Sequence, residues 1–534
     1  MTDPIFKQFV IILPEIMLTL LALFTQTYAV LFSTKTKTIS NIPDEFQELA
    51  RSASGEQTRR SQTVVPTRSP IVPQRQHLKG EGYTQILLSA ILLIVAFQQL
   101  QYLALQGSGN GIIAFRNSFV VNHFTVGFKF FVLLFSIMTM MIYQAYCKIT
   151  KEEFKTEFIT LVLLSTVGVF ITISARNFLL LFVAMELQAL VAYVLAGFNL
   201  NNIKASEGAL KYFILGSLIS CLTLFGISFI YGFGGSLDYS NIFQKLNHSP
   251  QPNIGLIVGL VLFLSGILFK LSAAPLHSWT LDVYEGSPIP SITYFSAATK
   301  IGNVVVLLNI MTMVIGDYKQ ISVDLIKITA ILSMLIGAAG AIRQTSLKRL
   351  MGYSTILNIG YVLMAISFHT PYGDRVALLY MVIYAASVTG FFACLITLLG
   401  AKSDSATFDD IKGLASTRKA LAAGIAIIMF SMIGIPPLAG FLAKYSVFYQ
   451  AIIEKQFTLA FIAIGTSVVA AYYYLKIVKF MYFFEADKSL KRESLKLVLV
   501  PTPKSLKFIC YLIIGVLLLL CVFIQPFADA MDGL

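Results

Sequence analysis

The chain has 534 residues, 56% of them hydrophobic and 13% charged, with mean hydropathy +0.76 and net charge +13. Soluble globular chains carry about 45–50% apolar and about 25% charged residues, so this composition excludes an ordinary soluble domain and indicates an integral membrane protein. Apolar runs of about 20 residues recur along the chain, as a membrane-crossing helix requires, whereas a β-barrel would show alternating segments of about ten. The basic excess does not call for nucleic acid, because in a membrane chain it marks basic loops on one side.

In chain order the pattern predicts an all-α polytopic protein of about 14 transmembrane helices. The first covers 8–32, and its Pro14-Glu15 and lack of a basic start argue against a cleaved signal peptide. A polar insert, 33–82, rich in Ser, Thr, Arg, Gln and Pro, has too few apolar residues to fold alone. Spans follow at 83–106, 125–147, 157–174, 177–199, 208–232, 253–274, 289–315, 321–342, 352–369, 376–401, 421–448, 457–482 and 508–526. Alternating sides groups the loops 33–82, 148–156, 200–207, 343–351, 402–420 and 476–507. They hold about 27 Lys and Arg while the opposite loops hold few, which places them in the cytoplasm or matrix and both termini on the other face.

Two spans contain helix breakers. Pro275 interrupts the seventh and Pro436-Pro437 the twelfth. Proline removes an N–H and clashes with the preceding turn, and the freed carbonyls survive in a membrane only where protein or water covers them. Discontinuous helices in corresponding halves point to an ion path, and a separation of five spans predicts two inverted five-helix repeats, 157–315 and 321–482. Residues 1–32 then form the first helix, 83–156 helices two and three, and 483–534 a basic loop and the last helix.

Ionisable groups inside spans are costly and persist where they pair or line a hydrated path. Glu186, Lys211, Lys270, Lys300 and Lys444 are the candidates. Glu186 and Lys211, on consecutive spans, form a candidate pair in which moving the carboxylate would load or unload the lysine. Lys129 and Lys327, a few residues inside their spans, read as snorkelling ends, as do Lys476 and Lys479, and Lys211, at the start of its span, reads equally as one. His277 either shuttles protons or caps the helix end; Trp279 and Tyr284 read as interfacial anchors. The cysteines Cys147, Cys221, Cys394, Cys510 and Cys521 form no C-x-x-C, the histidines are scattered, and no phosphate-binding loop follows a strand. Neither metal nor cofactor binding is expected in this chain.

The run PLHSWTLDVYEGSP (275–288), LKRLMGYSTILNIGY (347–361), and DDIKGL followed by GIPPLAGFLAKYSVF resemble the antiporter-like membrane subunits. The ELQ context of Glu186, ILPEIML near the start and SVVAAYYYLKIVKFMYF late in the chain most resemble subunit 2, bacterial subunit N, of the proton-pumping NADH:ubiquinone oxidoreductase, respiratory complex I. The likeness covers the whole chain except 33–82. It implies a proton relay of Glu186, Lys211, Lys270, Lys300 and Lys444, with NADH, FMN, iron–sulfur clusters and ubiquinone in other subunits and other membrane-arm subunits as partners. Lys444 argues against the subunit 4 relative, and the ELQ context against subunit 5. Leu281 departs from the motif's proline, and Asn358 from a frequent histidine. A stand-alone or Mrp-type cation/proton antiporter is the alternative, and a purely structural scaffold a third reading. The Phe- and Tyr-rich, Trp-poor composition suggests a mitochondrial inner membrane, with the bacterial plasma membrane as the alternative.

Overall fold

The computed structural model describes residues 11–32, 112–248, 253–315, 319–485 and 503–520. The 33–82 insert, the 83–106 span and most of the 483–507 loop lie outside them.

Helix α1 (Leu13–Phe32) is followed by a hairpin, β1 (Ile112–Ala114) and β2 (Phe119–Val121), paired antiparallel, an element the all-helical expectation did not contain. Helices α2 (His123–Thr150), α3 (Thr156–Ser174), α4 (Phe178–Ala196) and α5 (Ile203–Gly234) come next, then a short surface helix α6 (Tyr239–His248). The seventh span is divided into α7 (Ile254–Leu271) and α8 (Ser278–Gly286). The eighth is divided too, into α9 (Ile289–Ser296) and α10 (Ala298–Met313), a break without proline that the sequence reading did not anticipate. After α11 (Lys319–Ile342), α12 (Leu347–Ser367) and α13 (Pro371–Leu399), two 3₁₀ turns, Gly400–Ser405 and Asp409–Ile411, lead through α14 (Leu414–Thr417) into α15 (Lys419–Ile433). Helices α16 (Ala439–Ile453), α17 (Phe457–Phe483) and α18 (Lys504–Leu519) complete the described chain. Among the described residues ten helical segments are long and apolar enough to cross a membrane, and Leu13–Thr27 and Lys419–Ile433 are shorter apolar helices.

Local chemistry sets the helix starts. Asn122 and Thr125 form a reciprocal capping box on α2. Asn177, Asn202 and Asn253 accept from first-turn N–H groups of α4, α5 and α7, and Ser346 and Thr370 do the same for α12 and α13. Each such cap satisfies donors that hydrocarbon would leave unpaired.

The loops separate into two sets by their contacts. On one face Phe119 bridges Ala175, Arg176 N–H donates to Ser118 O (2.8 Å), and Asn177 bridges Asp238. On the other, Ser346 bridges Thr407, Lys204 and Arg349 both pair with Glu285, and Gly413 N–H donates to Phe480 O. The second set is the basic one, and is called the inner face below.

Burial is graded across the bundle. Beyond its first turns α13 is wholly buried, and α9–α10 and α12 nearly so, while α5, α11 and α17 expose most of one side. Exposed Leu210, Phe213, Ile214 and Leu218 on α5 form the kind of apolar face that lipid or another membrane helix covers.

One expectation fails here. Lys129 does not snorkel: it is 0% exposed and pairs at 2.6 Å with Glu15, itself 3% exposed. Its ammonium also stands over Phe119 (5.0 Å) and Phe170 (5.5 Å). The physical reason is that β2, α3 and α1 close around the start of α2, leaving the lysine no route to water. Removing one member of a buried pair strands the other charge. Glu15→Ala is expected to destabilise the α1–α2 contact by about 3–5 kcal/mol, read as earlier thermal loss of the detergent-solubilised protein, whereas Glu15→Ala with Lys129→Met should recover much of that loss.

Candidate functional site

The two proline breaks share one construction. A helix ends with its last carbonyls unpaired, and in low dielectric each needs a donor. At the end of α7, Ser272 adopts a left-handed conformation (φ 64°), and Ala273 N–H reaches back to Leu268 O at 2.9 Å. At the end of α15, Gly434 is left-handed (φ 91°), and Ile435 N–H reaches Phe430 O at 3.1 Å. Both are Schellman-type ends. Both are followed by a cis proline, at Ala274–Pro275 and Pro436–Pro437.

Side chains from elsewhere add donors to the helix-end carbonyls. Trp279 Nε1–H donates to Phe269 O (3.1 Å). Lys300 donates to Leu271 O (2.7 Å) and Ser272 Oγ (2.8 Å). At the second break Lys444 donates to Ile433 O (3.1 Å) and Ser467 Oγ (3.0 Å). An ammonium at a helix C-terminus is favoured by the axial dipole. The lysines sit differently: Lys444 lies on the helix after its own break, whereas Lys300 comes from the following span, just past the α9–α10 break at Ala297.

Lys270, in the last turn of α7, donates to Met185 O (3.0 Å), the carbonyl preceding Glu186. Glu186 accepts from Ser220 Oγ on α5 (2.5 Å). A cavity of about 10 Å³ beside Lys270 is lined by Gln188, Tyr212, Trp279, Thr299 and Asn303, and one of about 20 Å³ beside Lys444 by Asn358, Tyr380, Tyr384, Ser387 and Ser431. Roughly 10–15 Å³ accommodates one water.

A buried polar chain extends from the Lys444 cavity. Tyr384 donates to Thr355 (2.8 Å), whose hydroxyl lies 3.3 Å from Tyr284 OH. Tyr380 donates to Asn358 Oδ1 (2.6 Å), and Asn358 Nδ2 donates to Ser354 O (2.7 Å) and lies 3.3 Å from Tyr474 OH. Asn358, a departure from the family motif, is thus fully engaged on both ends of its amide. Leu281, the other departure, lies inside α8 and is buried against α12.

Two expectations are corrected. Glu186 and Lys211 are not paired. Lys211 is 46% exposed and holds Asp282 and Glu207, each at 2.8 Å. The partner of Glu186, Ser220, is nine residues further along α5, roughly 13 Å of helix rise, so Lys211 lies well toward the inner face. Trp279 and Tyr284 are not interfacial anchors: they are 3% and 0% exposed, and Trp279 stacks on Tyr212 with centroids 4.1 Å apart. His277 makes no side-chain cap bond to α8, but its ring bonds the Pro275 backbone beside the break. At the inner end of α8, burial raises the Glu285 carboxyl, but Lys204 and Arg349 outweigh it and hold it below the usual carboxylate range.

Comparison with known proteins agrees with this geometry. Residues 175–470 match the family described as NADH:quinone oxidoreductase/Mrp antiporter, transmembrane. The fold is that of a chain in respiratory complex I from Thermus thermophilus (TM-score 0.68, 23% identity, 96% of this chain and 98% of that one). It is equally that of a chain in the Mrp complex from a Dietzia species (TM-score 0.70, 18% identity, 84% and 91%). The class is therefore the antiporter-like membrane subunits. Sequence separates the branches: the chain is 60% identical over 400 residues to NADH-quinone oxidoreductase subunit N of Rickettsia bellii, covering 75% of this chain and 85% of the relative. It is 53% identical over 509 residues to that of Rickettsia felis, covering 95% and 98%. The chain belongs to the NADH-quinone oxidoreductase subunit N family. These relatives are bacterial, so the mitochondrial inner membrane expected from composition has no support in them.

The break geometry makes a direct prediction. A Cβ on Gly440 would meet Ser431 O at 1.8 Å, because α15 and α16 touch backbone to backbone across the break. Gly440→Ala should force the two halves apart and displace Lys444 from Ile433 O, detected as lowered thermal stability with faster proteolysis near 434–440. Ser431→Ala, which leaves the backbone clear, should be much milder.

Proposed function

We propose that this chain is a core membrane-arm subunit of a proton-translocating NADH:quinone oxidoreductase. It moves protons through its buried Glu and Lys residues while electrons pass from NADH to quinone in other subunits. FMN, iron–sulfur clusters and the quinone site belong to those subunits, and neighbouring antiporter-like subunits are the partners in the membrane. The bacterial relatives favour the plasma membrane, with the basic loops in the cytoplasm.

The observation that carries the reading is the lysine at each helix break. Lys300 and Lys444 each hold an exposed helix-end carbonyl beside a hydroxyl side chain, and Lys270 stands one residue before the first break. An ammonium that caps a carbonyl becomes a weaker donor when it gives up its proton, which loosens its hold on the helix end. Proton transfer and the geometry of the break are then one event, and a change of charge on Glu186 alters the field at Lys270 through the Met185–Glu186 segment. Lys211, exposed and paired with Asp282, supports a role at the inner mouth rather than beside Glu186. The Mrp-type alternative shares the fold, but the relatives that are 50–60% identical bear the subunit N name.

The test uses the assembled complex in vesicles. Glu186→Ala or Lys270→Ala should lower quinone-linked NADH oxidation and proton pumping together, while the complex still assembles. Lys270→Arg should also be damaging, since guanidinium does not release a proton near neutral pH. Normal pumping by a fully assembled Glu186→Ala complex would sink the relay.

A further inference from the structure

A second group of buried charge lies at the inner face, apart from the lysines at the breaks. Lys348, in the first turn of α12, is 1% exposed. Its ammonium donates to Ser287 O (2.7 Å) and lies 3.3 Å from Asp404 Oδ1. That same oxygen accepts from Ile289 N–H (3.0 Å) and so caps α9. The other Asp404 oxygen accepts from Tyr146 OH, and Tyr146 OH lies 3.5 Å from Glu152 Oε1. Asp404 is 22% exposed and Glu152 lies on the exposed 148–156 loop. An unbroken hydrogen-bonded series of titratable groups therefore runs from water to a buried amine, with contributions from α2, the first 3₁₀ turn and α12.

A purely structural account of Lys348 is weak. A cation in the first turn of a helix faces the positive end of the dipole. Ser346 already caps α12, and Asp404 can cap α9 with or without a lysine beside it. Thr355 lies seven residues further on the same face of α12, about 10 Å of rise. Thr355 receives Tyr384, and Tyr384 lines the Lys444 cavity together with Asn358 and Tyr380.

We propose that Lys348 is the inner loading site of the proton path, filled from the aqueous face through Glu152, Tyr146 and Asp404 and emptied along α12 toward the Lys444 cavity. A proton carried by the Asp404 carboxyl passes to the neutral Lys348 amine. The carboxylate left behind reloads through the Tyr146 hydroxyl, which gives its proton to Asp404 as it receives one from the Glu152 side. The inference rests on the function proposed above and adds the point of uptake.

The substitutions separate proton loading from structure. Asp404→Asn keeps a side-chain oxygen for the Ile289 N–H, since Asn caps helices as well as Asp does, but it cannot carry a proton. Asp404→Glu keeps a titratable carboxyl on a longer arm. Lys348→Arg keeps the ion pair but not the exchangeable proton. In the assembled complex in vesicles, Lys348→Arg and Asp404→Asn should each lower proton pumping at least about tenfold, and Asp404→Glu should exceed Asp404→Asn. Wild-type pumping by Lys348→Arg, or Asp404→Asn exceeding Asp404→Glu, would overturn the loading site. If Lys348→Arg does not assemble, the order of the two Asp404 variants decides. Glu186→Ala is the reference: if it pumps normally, the function itself is misread. If it is inactive while the Lys348 and Asp404 variants pump normally, only the loading site is wrong.

Discussion

The structure depends on how a helix can end inside a membrane. Each interrupted span leaves carbonyl oxygens that hydrocarbon cannot solvate, and an unpaired buried carbonyl is costly. Lys300 and Lys444 meet that need at Leu271 and Ile433, and Trp279 meets it at Phe269. The helix end needs a donor, and the buried ammonium needs acceptors. Each makes the other tolerable, and neither is stable alone at that depth.

The surrounding helices follow from that exchange. The segments nearest the breaks are the most buried: α9–α10 bring Lys300 to the end of α7, and α12 and α13 supply the hydroxyl and amide chain beside the Lys444 cavity. Peripheral α5 and α17 present apolar surface outward instead. Backbone approaches at the breaks are close enough that Gly440 admits no side chain without movement.

Much of this was legible in the sequence for definite reasons. The recurrent apolar length and the breaks at Pro275 and Pro436-Pro437 are local properties, so the described helices follow the reading closely. What failed was everything that needed a partner distant in sequence. Lys129 read as a snorkelling end because Glu15, 114 residues away, was invisible as its counter-ion. Trp279 read as an interfacial anchor because nothing local said that Tyr212 would stack on it. Glu186 and Lys211 were paired by adjacency of spans, but antiparallel helices place Ser220 opposite Glu186 instead. Lys348 stands inside a quoted motif, yet its burial comes from Asp404 and Ser287, neither of them near it in the chain.

The sequence by itself determined the membrane class, the positions of the proline breaks and the family, because hydropathy and proline act over a few residues. The tertiary structure alone decided which charges meet. Ser272 takes a left-handed end that its residue type does not announce, and the break at Ala297 carries no proline or glycine to signal it. The pairings of Lys300 with Leu271, Lys444 with Ile433 and Lys348 with Asp404 arise where separate helices pack. A buried charge is stabilised by whatever lies within a few ångströms of it, and in a helix bundle that neighbour comes from another part of the chain.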